Sequence, residues 1–141
     1  MVVSVRPTNA RLPVSATALW SHTVAFAVQP VSASKAREFV ARHLRDHGMS
    51  DLVDDVQLVV SELATNAMVH AQTPFSVILI GFVQAVRLEV SDGSQDGSFM
   101  VTARLLDTTG RGIAIVGELS RDWGVTTGAA GKSVWAMFDV A

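Results

Sequence analysis

Glu62, Asn66 and His70 stand four residues apart, a spacing that lines side chains along one edge of an α-helix. On a helical wheel Asn66 falls beside Val59 and Leu63, which belong to the apolar face. An amide in that position has two readings. Either it lies at the rim of the core, or it and the acid face a pocket between helix and sheet where a ligand completes the hydrogen bonding. The second reading suits a magnesium nucleotide. An amide oxygen is a hard ligand for Mg2+, and a carboxylate can orient or deprotonate a hydroxyl or water attacking a terminal phosphate. His70, at the helix end, is as well placed to cap the helix as to meet a ligand.

The elements that must hold this strip are legible from periodicity. Residues 22–28 alternate Val24, Phe26 and Val28, the pattern of a half-buried strand. A helix is expected over about 32–47, capped by Ser32 and ended by Gly48 in a left-handed conformation. Ser50 is placed to cap the second helix, which carries the strip, has Asp51, Asp54 and Asp55 near its positive end, and stops before Pro74. Two apolar runs, Phe75–Ile80 and Ala85–Val90, read as a hairpin, although Phe82 and Val83 are odd residues for an exposed turn. Ser91–Gly110 reads as a long loop and a candidate lid. A short helix over 112–120, a strand over Trp123–Thr126 and a last strand over Ser133–Val140 complete the chain. Strand pairs with short links and no regular strand–helix alternation predict an α/β two-layer sandwich. Its sheet is mostly antiparallel or mixed, with the helices on one face.

Bulk properties narrow the function classes. The 141 residues suit one domain, with 49% hydrophobic and 17% charged residues, so a core is expected and general disorder is not. Residues 1–20 carry Pro7 and Pro13 without a sustained period and read as a flexible N-terminal arm before a domain spanning 21–141. A net charge of −2 and scattered cations give no nucleic-acid signature. The absence of cysteine excludes disulfides, thiolate zinc sites and cysteine nucleophiles. The N-terminal segment does not read as a signal peptide, and no apolar run is long enough to predict a membrane span, so a cytoplasmic location is the expectation.

Four blocks in order carry a more specific likeness: SELATNAMVHA at 61–71, VSDGS at 90–94, GRGIAIV at 110–116 and GKSVWAMF at 131–138. Together they resemble the histidine-kinase-like (Bergerat-fold) ATPase family, and within it the bacterial anti-sigma-factor serine kinases and actinobacterial ATP-binding regulators. The likeness runs from about residue 22 to the end. It implies that Glu62 is the catalytic carboxylate, that Asn66 coordinates Mg2+, and that Asp92 accepts a hydrogen bond from the adenine amino group. Without the likeness, Asp92 before Gly93 is simply a turn starter. Gly110 and Gly112 match a glycine block whose backbone can approach phosphate where a helix begins, and Arg111 between them either adds a cationic contact or points into solvent. In the last block Gly131 shapes a turn, and Lys132 either reaches the phosphate region or caps a loop. Trp135 reads as core or interface.

The resemblance implies ATP and Mg2+ as ligands, and transfer of the γ-phosphate to a serine on an anti-sigma-factor antagonist of the STAS type. It also implies a sigma factor as second partner and a possible homodimer. No nucleic-acid or membrane partner is implied. The first glycine block departs from the family pattern: Asp92-Gly93-Ser94-Gln95-Asp96-Gly97 lacks a proline and has altered spacing. That departure keeps open a non-catalytic ATP-binding sensor, and a structural module with a decayed pocket is the third reading.

Overall fold

The computed structural model describes residues 3–5, 17–93, 111–128 and 131–140. Its strands are β1 (Val3–Val5), β2 (Trp20–Phe26), β3 (Phe75–Gly81), β4 (Ala85–Asp92), β5 (Asp122–Gly128) and β6 (Gly131–Asp139). They form one sheet in the order β1-β5-β6-β4-β3-β2, and every pairing is antiparallel. The helices are α1 (Val31–Asp46), α2 (Val53–Asn66) and α3 (Arg111–Leu119). This is the expected two-layer α/β sandwich, with a wholly antiparallel sheet. Within the stretch read as an arm, Val3–Val5 pair with Val125–Thr127. Three residues give too short a run for alternation to reveal.

The core lies between the helices and one sheet face. Phe75, Val77 and Leu79 of β3, Val86, Leu88 and Val90 of β4, and Val134, Ala136 and Phe138 of β6 all point into it. They meet Ala36, Val40 and Leu44 of α1, and Val56, Val59, Val60 and Leu63 of α2. The period of two on the strands and the 3.6-residue period on the helices thus converge on a single apolar layer. On the opposite face Trp135, Met137 and Ala85 form a smaller cluster joined by Phe82, with the Arg87 guanidinium 4.8 Å from the Trp135 ring centre. This explains the odd turn composition: Phe82 packs, and only Val83 is left largely exposed.

The helix boundaries follow backbone chemistry, with two corrections to the expected caps. Ser32 is not a cap. The helix starts at Val31 after Pro30, whose fixed φ suits a helix start, and the Ser32 hydroxyl donates instead to the carbonyl of Ala27 at 2.7 Å. Ser50 likewise makes no side-chain cap and opens a 3-10 turn, Ser50–Leu52, that leads into α2. The end of α1 is as expected. Gly48 is left-handed at φ +76, its N–H bonds Arg45 O at 3.0 Å, and the Met49 N–H bonds Leu44 O at 2.7 Å, which together make a Schellman closure. Arg37 ties α1 to α2 by donating to the Ser61 hydroxyl at 2.9 Å, while Gln57 donates to the Arg37 carbonyl at 3.1 Å.

Where α1 meets β2, three histidines gather. His22 and His43 stack at 3.8 Å, His47 stacks on Trp20 at 3.9 Å, and the Nε2 atoms of His22 and His47 lie 3.0 Å apart. Burial holds the His43 pKa below its ordinary value of 6.5. The charges of His22, Arg42 and His47 act in the same direction, and Asp46 opposes them. A folded-state pKa below the unfolded one means the unfolded chain binds the proton more readily. The fold is therefore fully stabilised above pH 6.5 and loses stability as pH falls through 6.5 towards the lowered value. Thermal melts at pH 7.5 and 5.5 are expected to show this acid loss, and His43→Gln is expected to reduce it. An unchanged pH dependence in the variant would remove His43 as its source.

Candidate functional site

The helix carrying the chemical strip ends against one end of the sheet. After Asn66 the backbone widens into a single π turn, Ala67–Ala71, closed by the Gln72 N–H on Ala67 O at 2.9 Å with Gln72 left-handed at φ 56. Such turns arise where a regular helix is interrupted, commonly at functional sites. This turn packs against β4. The C-terminal end of α2 and the helix-facing side of the sheet are thereby brought together.

Glu62 and Asn66 share one helix edge a turn apart, as expected, with Glu62 half-buried and Asn66 8% exposed. The Asn66 Nδ2 atom is buried and finds no hydrogen-bond partner among the described residues. Leaving a buried amide unpaired costs about 1–3 kcal/mol, so the position is poor as a structural device and well suited to a ligand. The regular helical spacing stops at Asn66, so His70 falls in the π turn, and its side chain lies outside the described residues.

The two central strands end together with Asp92 opposite Lys132. On the helix-facing side Val90 and Val134 form the last apolar pair, and the acid and ammonium follow immediately. Their Nζ–Oδ2 distance is 3.5 Å, with the side chains 4% (Lys132) and 3% (Asp92) exposed. Burial lowers the Lys132 pKa, while the charge of Asp92 and a hydrogen bond to it oppose the shift. In the structure the Lys132 ammonium faces the Asp92 carboxylate across the strand pair. Its direct cross-strand pairing with Asp92 decides where the ammonium goes.

Glycines let the backbone close around this pair. Gly131 has φ +130, and a Cβ there would sit on the carbonyl oxygen of Asp92. Gly93 donates its N–H to the Thr73 hydroxyl at 3.2 Å, a contact from the segment between the π turn and β3 that no sequence signal indicated. Gly131→Ala is expected to lower unfolding free energy by about 1–3 kcal/mol through strain at a disfavoured φ, and to push β4 from β6 at Asp92. Gly48→Ala meets the same kind of strain with open space around it. Denaturant titration should therefore show the smaller loss for Gly48→Ala, and equal losses would mean that the close approach at Asp92 adds nothing.

Arg111 and Gly112 are the first two residues of α3, with their side chains outside the description, and Gly110 lies outside the described residues altogether. Among the described residues no group of three His, Cys, Asp or Glu can hold a metal ion. Mg2+ favours oxygen ligands and keeps several waters, and Asn66 carries an amide oxygen on the helix edge it shares with Glu62. A separate cavity of about 590 Å3, lined by Val83, Gln84, Arg121, Asp139 and Val140, lies at the other end of the sheet from Asp92. It contributes nothing to this site.

Compared with known families, residues 26–138 match the model described as histidine kinase-like ATPase domain. That span contains every candidate residue from Glu62 to Lys132. No curated protein matches the chain.

Proposed function

The chain belongs to the histidine kinase-like ATPase domain family, and on that premise we propose that it is an ATP-dependent serine/threonine protein kinase of the anti-sigma-factor type. Its acceptor is a serine of an anti-sigma-factor antagonist, and its output is control of a sigma factor. The observation that carries the nucleotide reading is the buried Asn66 Nδ2, a donor with no partner among the described residues, one turn beyond a half-buried acid. Glu62 orients the acceptor hydroxyl and takes its proton. Asp92 accepts from the exocyclic amine of the base, and Asn66 supplies an oxygen ligand. Mg2+, when bound, neutralises charge building on the phosphates.

A non-catalytic ATP-binding regulator is the second reading, favoured by the proline-free, respaced block Asp92–Gly97. One experiment tests both: incubation with γ-labelled ATP, Mg2+ and a STAS-type antagonist carrying an acceptor serine. The kinase reading expects label on serine. Saturable ATP binding without transfer would leave the regulator, and no binding at millimolar Mg-ATP would sink both.

A further inference from the structure

We propose that Lys132 is a base-reading residue, and that the Asp92–Lys132 pair recognises an adjacent donor and acceptor on the edge of a purine. The inference rests on the nucleotide reading above and deepens it. Asp92 and Lys132 are direct cross-strand partners at the ends of β4 and β6, and the Nζ atom lies 3.5 Å from Oδ2. A base edge that reaches the carboxylate therefore meets the ammonium as well.

The chemistry of the two groups is complementary. An ionised carboxylate only accepts hydrogen bonds, and an ammonium only donates, with three hydrogens. At 3.5 Å the pair is longer than a tight charge-assisted contact of about 2.7–2.9 Å, and an ammonium bonded to one acid keeps further N–H donors for a base. Adenine offers an amine hydrogen at N6 beside a lone pair at N1, which matches acceptor and donor respectively. An acid alone would read only the amine. The burial of Lys132 sharpens the requirement, since a buried donor that loses its acceptor is costly. The glycine at 131 lets β6 approach Asp92 closely and so keeps the two side chains side by side.

The test compares affinities for ATP and for 1-deaza-ATP, which keeps the amine and lacks the ring acceptor, on the full chain by calorimetry. Wild type is expected to bind 1-deaza-ATP about tenfold or more weakly than ATP, the range for losing a hydrogen bond to a charged group. In Lys132→Met and Lys132→Leu, which carry no donor, the ratio is expected to collapse towards one. The wild-type ratio stands as a result even if either variant fails to fold. Equal affinity of wild type for the two nucleotides overturns the inference, as does an unchanged ratio in a folded variant. Both of those outcomes leave ATP binding intact. A wild type that binds no ATP overturns the nucleotide reading itself, and this inference with it.

Discussion

Glu62→Gln is expected to slow phosphoryl transfer to the acceptor serine by about 10²–10⁴, the usual loss when a general base is removed, with ATP affinity almost unchanged. The substitution keeps size and helix propensity and deletes only the negative charge and proton acceptor. The helix around it stays fixed, because Leu63 and Ala64 are buried and Ser61 is bonded by Arg37. A fall in kcat with constant KM for ATP would place the role of Glu62 in the transition state rather than in ground-state binding. Equal transfer rates for both proteins would remove Glu62 from the chemistry. The comparison also separates a catalytic acid from a surface one, since an exposed acid that merely solvates its helix would change neither quantity.

The architecture was readable because its signals are local. Two apolar runs with a short link mark the hairpin of Phe75–Ile80 and Ala85–Val90, a 3.6-residue apolar stripe marks both long helices, and Gly48 closes α1 as its position suggests. The misses have physical causes. Ser32 and Ser50 looked like caps by residue type, but Pro30 and a 3-10 turn supply the helix starts instead. The π turn at Ala67–Ala71 left no mark in the sequence, because a widened turn depends on packing rather than on residue type. Within the site, Glu62 and Asn66 were visible through their spacing on one helix. The Asp92–Lys132 contact was not, because it depends on β4 pairing with β6, a strand some forty positions away, rather than with a hairpin neighbour. The Thr73 contact to Gly93 lies just past the open end of the β3–β4 hairpin, and it was hidden because the sequence left the hairpin register unfixed.

Asn66→Ala is expected to weaken Mg-ATP binding by on the order of 1.5–3 kcal/mol, the worth of a hydrogen bond or ligand contact to a charged group, or roughly ten- to 150-fold in Kd. The unliganded protein should respond differently. Its Asn66 Nδ2 is buried without a partner among the described residues, so deleting the amide relieves a desolvation cost while losing only a little packing. Stability of the free protein is therefore expected to hold or rise as binding falls, the trade-off of a residue kept for its ligand. A rim-of-core role predicts the reverse, with lower stability and equal nucleotide affinity. Repeating both titrations in EDTA adds a second discriminator. If Asn66 acts through Mg2+, the two proteins should bind metal-free ATP with nearly the same affinity, whereas a direct contact to the nucleotide would preserve the difference. Calorimetry with and without the metal, alongside denaturant melts, thus assigns Asn66 to the metal, to the nucleotide or to the core.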